Sequence, residues 1–220
     1  MSRQHGETTT MKTLYIFLTR SGTLLSNLVY SLTGAQYTHI SLAFDEDLST
    51  LYSSTRKNGY TMFPAGPSRE YLNRGVFLMR ENIPCALYAL EVTDEAYIRA
   101  KRRTQHMMHH GELYRFNSLG LLLCWMHIRW QRRRHYFCSQ FVSEVLEKSG
   151  SMQLPKHSTL MHPNDYTRLE QLRCVYEGPL AGLPQRRKMA FDESETVVSV
   201  YLGLALGLVR AGVSGVKNIF

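Results

Sequence analysis

The chain has 220 residues, 44% hydrophobic and 20% charged, which is enough apolar material for one well-cored domain and excludes a disordered chain. Its four cysteines, Cys85, Cys124, Cys138 and Cys174, show neither CxxC pairs nor zinc spacing, which argues against a disulfide framework or a metal knuckle. A net charge of +8 allows contact with nucleic acid, anionic lipid or other acidic partners, and much of the excess sits in Lys101-Arg102-Arg103 and in residues 129–134.

The opening residues 1–10 are polar, and the first apolar run, 14–18, is too short for a signal core, so a cytoplasmic protein is expected. Residues 13–19 (TLYIFLT) are rich in β-branched and aromatic side chains and predict a buried strand. Ser21-Gly22-Thr23 then offers a helix cap, with Leu24, Leu25, Leu28, Val29 and Leu32 at helical spacing and Gly34 as the stop. Residues 37–44 (YTHISLAF) alternate, with Thr38, Ile40, Leu42 and Phe44 on one face and Tyr37, His39, Ser41 and Ala43 on the other. The acidic turn Asp45-Glu46-Asp47 leads into a second strand over residues 50–54 and so predicts a hairpin.

Residues 56–74 carry prolines, glycines and asparagines without periodicity and predict a long irregular excursion, a kind of loop that is often functional. A strand over residues 85–92 (CALYALEV) precedes a helix that starts at Thr93, with Glu95 close behind, and runs to Gly111. Residues 113–130 mix aromatics and leucines and lead into the basic run. Residues 155–162 read as a loop, Pro163 and Asp165 precede a short helix, and Cys174-Val175-Tyr176 is the last strand. From Glu193 the chain is apolar and glycine-spaced, with a small-xxx-small pattern at Gly203-Leu204-Ala205-Leu206-Gly207 and an interruption at Arg210. That segment predicts a helix docked on the domain or on a twin chain, or else attached weakly to a membrane interface. The outline is α+β, a small antiparallel sheet with helices packed against it.

The stretch best suited to chemistry is residues 135–150 (HYFCSQFVSEVLEKSG). Phe137, Phe141, Val142, Val145 and Leu146 form one apolar helical stripe, and Gly150 is a left-handed stop. Cys138 falls in the first turn, where the helix macrodipole and unsatisfied N–H groups favour a thiolate and could hold an oxyanion. The plain alternative is an inert buried cysteine, the commoner fate of a free thiol. A base is needed, and His39 is the best candidate, because it shares a strand face with the small residues Ser41 and Ala43, which would let another backbone approach. Thiol beside imidazole is the recurring activated pair. His106, His109 and His110 with Glu112 lack a partner to complete a metal site. The run Arg129-Trp130-Gln131-Arg132-Arg133-Arg134 reads as a solvated loop or a rim that draws anionic substrate or lipid, ahead of specific nucleic-acid binding.

Residues 37–43 (YTHISLA), 51–54 (LYSS) and 136–142 (YFCSQFV) resemble the circularly permuted papain-like group of the NlpC-type cysteine hydrolases, which is related to lecithin retinol acyltransferase. Softer matches are Tyr114-Arg115-Phe116-Asn117 and residues 163–176, so the likeness spans residues 14–178. In unpermuted members the cysteine helix precedes the histidine strand; His39 before Cys138 is the permuted order. The resemblance implies a permuted papain-like α+β fold and a thiol hydrolase or acyltransferase working on a peptide-like or acyl substrate through an acyl-enzyme. Cys138 would attack and His39 would relay the proton, with no metal or organic cofactor. Family members carry a third polar group on the neighbouring strand, usually histidine, glutamate, asparagine or glutamine. Here that strand reads Thr50-Leu51-Tyr52-Ser53-Ser54, and Ser53 is the choice by hairpin register, with Tyr52 second. This departure keeps open a catalytically weakened module that binds peptide or acyl lipid in the same cleft. The expected organisation is a disordered extension over residues 1–10, the hydrolase domain over 11–190, and an apolar C-terminal helix over 191–220.

Overall fold

The computed structural model describes residues 10–20, 34–56, 65–79 and 82–188. The predicted N-terminal extension, the helix after Ser21 and the apolar C-terminal segment lie outside the described residues. Among the described residues there are eight strands: β1 (Met11–Thr19), β2 (His39–Ala43), β3 (Leu51–Arg56), β4 (Ala65–Glu70), β5 (Pro84–Thr93), β6 (Arg115–Phe116), β7 (His135–Tyr136) and β8 (Arg173–Pro179). Six of them form one antiparallel sheet in the order β4-β3-β2-β1-β5-β8, while β6 and β7 make a short parallel pair. The helices are α1 (Gly75–Met79), α2 (Asp94–His109), α3 (Ser118–Trp125), α4 (Cys138–Ser149) and α5 (Pro184–Lys188). The fold is therefore mixed α and β, as the pattern of elements predicts.

The apolar runs of β1 and β5 suit strands buried on both faces. Their register sets Leu14 opposite Leu90, Ile16 opposite Tyr88 and Leu18 opposite Ala86. These residues line one core, together with Phe141, Val142, Val145 and Leu146 of α4. Phe17 and Leu87 point the other way, into a second core with Leu48, Leu51, Phe77 and Leu180. The hairpin between β2 and β3 closes on Asp45, whose backbone oxygen accepts from Leu48 N at 3.3 Å and whose carboxylate accepts from Ser49 N and Oγ at 2.8 Å each. Leu48 adopts φ 53°, which is costly for a residue with a Cβ. Complete burial of its side chain in the second core holds it there.

Two elements depart from expectation. Part of the excursion read as irregular is β4, paired with β3 along its whole length. Its sequence, AGPSRE, carries glycine and proline, which remove the usual strand signal. Proline is tolerated because β4 is the edge of the sheet. The second departure is α4, which is buried on nearly every face rather than along one stripe. Its inward polar side chains are accommodated by specific partners: Ser139 Oγ donates to Met161 O at 2.6 Å, Ser143 Oγ lies 2.7 Å from Tyr166 Oη, and Tyr136 Oη donates to Glu144 at 3.1 Å. Helix α2 starts as predicted, with Thr93 Oγ1 accepting from Ala96 N. Gly150 ends α4 at φ 75°.

Helix α3 is fastened to α4 by one buried asparagine. Asn117 Oδ1 accepts from Gly120 N at 3.0 Å, capping α3, and Nδ2 donates to Gln140 Oε1 at 3.1 Å. A Cβ at position 120 would overlap the Asn117 carboxamide. Gly120→Ala is therefore expected to displace both bonds and cost about 1–3 kcal/mol in urea unfolding, the range for a lost cap plus a stranded buried amide. A loss below a few tenths of a kcal/mol would show that the cap is dispensable.

Candidate active site

His39 opens β2, opposite Thr19 of β1. Beyond it the strand alternates: Ile40 and Leu42 enter the core with α4, and Ala43 enters the other. Helix α4 thus packs on the large aliphatic face of β2, not on the face of Ser41 and Ala43 as their small size suggests. Burying isoleucine and leucine removes far more apolar surface from water than burying serine and alanine. The alternation fails at the start of the strand, since Tyr37, two residues before His39, lies in the same core as Cys138. It is there, at the strand end, that the Cys138 thiol comes near enough to the His39 imidazole to help raise its pKa.

The ring is held by Glu70, the last residue of β4. His39 Nε2 lies 3.1 Å from Glu70 Oε1 and 2.9 Å from Oε2. Ser41 Oγ donates to Glu70 Oε2 at 2.6 Å and sits 3.2 Å from the same nitrogen. Ser41, expected only to make room for a neighbouring backbone, instead steadies the carboxylate.

Charge follows from this geometry. Burial alone would disfavour the imidazolium, but the Glu70 carboxylate outweighs it, helped by the hydrogen bond and charge of Cys138, and the His39 pKa is raised to about 10. The side chains of His39 and Glu70 are 12% and 16% exposed and Cys138 is 9% exposed, so the three sit at the rim of the core with a narrow opening to solvent. Phe137, at the N-cap of α4, has no side-chain acceptor to offer the first turn, which leaves the N–H groups beside the thiol uncapped by it.

Ser53, chosen from the hairpin register to orient the imidazole, does not reach it. The side chain is fully buried and Oγ donates to Ile40 O at 2.7 Å. Tyr52, the second choice, stacks edge-on against Phe44 with ring centroids 5.6 Å apart. The side chain that reaches the imidazole is Glu70. Sequence reasoning missed it because β4 carries no strand pattern; the only hint was the length of the excursion in which it lies.

The other thiols differ in setting. Burial pushes Cys85 and Cys124 up to about 12. Cys124 Sγ is 3.6 Å from His162 Nε2, a second Cys–His contact, yet burial also lowers the His162 pKa, so both partners are held neutral. Cys174 is exposed. Rings of His106 and His110 stack with centroids 4.6 Å apart, and among the described residues no three His, Cys, Asp or Glu side chains are grouped to hold a metal ion. Comparison of the chain with protein-family models, curated proteins and solved structures returns no match.

Proposed function

We propose that the protein is a cysteine hydrolase or acyltransferase with a permuted papain-like architecture, in which Cys138 is the nucleophile, His39 the proton carrier and Glu70 the group that orients the imidazole. The observation that carries this reading is the convergence of thiol, imidazole and carboxylate from α4, β2 and β4, with the imidazole hydrogen-bonded to the carboxylate and the thiol near enough to shift its pKa. In the reaction, sulfur adds to a carbonyl of an amide or ester and the carbonyl π electrons move to oxygen, where the uncapped N–H groups of α4 receive the charge. Collapse of the adduct expels the amine or alcohol, which takes a proton from the His39 imidazolium and leaves a thioester on Cys138. Water, or an acceptor amine or alcohol, then loses a proton to His39 as it attacks, and the thiol is released. Glu70 holds Nε2–H throughout and stabilises the imidazolium between steps. A cytoplasmic location belongs to the same reading, since the chemistry needs a reduced thiol.

The absence of a third polar group on β3 favours the binding-module alternative, whereas the bond from Glu70 of β4 to the imidazole supports the hydrolase. Iodoacetamide labelling with peptide mapping separates the two readings. Cys138 is expected to be alkylated first below about pH 8, ahead of exposed Cys174 and far ahead of buried Cys85 and Cys124, and His39→Ala is expected to remove the lead. Cys138 reacting no faster than Cys174 in the unaltered protein would return it to the binding class.

A further inference from the structure

Helix α3 and the turn after it show a pattern of exposure that the fold leaves without a partner. Of the nine large apolar side chains exposed among the described residues, five lie in this one stretch, Leu119, Leu122, Trp125, Met126 and Ile128, and a sixth, Leu113, just before the helix, at 38–53%. Leu119, Leu122 and Met126 follow the three- and four-residue steps of one helix face. Within α3 only Gly120 and Cys124 are buried. A contiguous apolar face of this kind on a folded domain marks an interaction site.

The charge beside it indicates the partner. Arg129, Arg132, Arg133 and Arg134 follow directly and are exposed. None of the four has a carboxylate partner among the described residues, in contrast to Arg103, which pairs with Glu144. The turn that carries the last three is fixed: His135 N donates to Arg132 O at 3.2 Å and His135 Nδ1 lies 2.8 Å from Arg133 O. Arg134 sits at φ 60°. Together with Tyr114, Gln131 and Tyr136, the side chains of Arg132, Arg133 and Arg134 line an open pocket.

We infer that α3 and the Arg129–Arg134 turn form a docking surface for an anionic lipid bilayer, with the leucines, Met126 and Trp125 entering the headgroup boundary and the arginines meeting lipid phosphates. An apolar helix face edged by unpaired arginines and by tryptophan is what an interfacial attachment requires. A second copy of the chain fits poorly, because the same face would bring four unpaired arginines against four. Helix α3 spans eight residues, and among the described residues no helix is long and apolar enough to cross a membrane, so the attachment is peripheral. The surface is tied to the first turn of α4. Asn117 bonds Gln140, and Cys124 Sγ and Ser139 Oγ both approach Met161 O, at 4.0 and 2.6 Å. Docking sets Cys138 beside the bilayer, although the inference holds whether or not Cys138 is catalytic.

The chain's two tryptophans, Trp125 and Trp130, both belong to this surface, so intrinsic fluorescence reports on it directly. The full chain is titrated with phosphatidylcholine vesicles, with and without phosphatidylserine, and the tryptophan emission and vesicle flotation are read in parallel. A blue shift and flotation are expected with the anionic vesicles only, reversed by high salt. Arg132→Glu/Arg133→Glu/Arg134→Glu is expected to lower partitioning at least about 100-fold, and Leu122→Glu/Met126→Glu to abolish the blue shift. All five positions are exposed, and circular dichroism checks that each variant keeps the fold. Unchanged emission with anionic vesicles overturns the inference. Flotation without a blue shift does the same, since it would place the contact elsewhere, as on the apolar segment after residue 190. Equal binding to neutral vesicles, full binding by either variant, or a concentration-dependent dimer whose emission ignores lipid would also overturn it.

Discussion

Glu70→Gln is expected to slow turnover of an activated ester such as p-nitrophenyl acetate by about 10²–10⁴-fold while leaving the fold intact, the scale seen when the group orienting a catalytic imidazole loses its charge. The same substitution is expected to lower the His39 pKa from about 10 toward its ordinary value of 6.5, because the carboxylate is the largest influence raising it. Imidazole ¹⁵N chemical shifts followed across pH read this directly, and a merely structural carboxylate would leave them unmoved. Stability should follow the same linkage. A folded-state pKa raised above the unfolded value means that the proton on His39 stabilises the fold fully below about pH 6.5, and that this contribution disappears as pH climbs through about 10. The urea midpoint of the unaltered protein should therefore exceed that of Glu70→Gln at neutral pH, with the gap closing by about pH 10. An unchanged His39 titration together with unchanged turnover would remove Glu70 from the site.

The second large effect is expected in the core behind the cysteine helix. Glu144 is a buried carboxylate in the middle of α4, paired with Arg103 of α2 and accepting from Tyr136 Oη. Its Oε2 has no hydrogen-bond partner, so the arginine is the chief compensation for a charge taken out of water. Arg103→Ala should cost about 2–4 kcal/mol in urea unfolding, just under the range for stranding a buried charge, because the Arg103 side chain is 36% exposed and already partly solvated. Replacing both partners, Arg103→Met with Glu144→Leu, should restore most or all of that loss, since apolar residues of similar volume escape the desolvation penalty. A double variant as unstable as Arg103→Ala alone would mean that packing, not charge, dominates there. Because α4 carries Cys138 at its first turn, the single variant is also expected to slow alkylation of that thiol.

Much of this was legible in the linear order of residues, and the legible parts share a cause. The strands at Met11–Thr19 and Pro84–Thr93, the Thr93 cap, and the Cys138 helix with its Gly150 stop are set by side chains within a few positions of one another. Periodicity and capping act over that same range, so the pattern and the structure agree. His39 and Cys138 could be nominated in the same way, from chemistry at a helix start and in an alternating strand. Which face of β2 the helix would cover could not, because Ile40 and Leu42 on one side and Ser41 and Ala43 on the other are both consistent with a strand. The choice was made by what α4 brought to bury.

Glu70 is the sharper case. It lies on an edge strand whose glycine and proline erase the local signal, and β4 exists only because β3 supplies its hydrogen bonds. Its contact with the imidazole crosses 31 residues of chain, and Ser53, closer in sequence and better placed by hairpin register, is drawn off by the Ile40 carbonyl instead. The amino-acid order by itself determined where strands and helices begin and which residues carry reactive groups, since those depend on neighbours along the backbone. Only the tertiary structure decided that a carboxylate from the sheet edge, rather than a serine from the next strand, meets the histidine ring: hydrogen bonds between side chains are won by proximity in space, and proximity is set by the packing of the whole sheet.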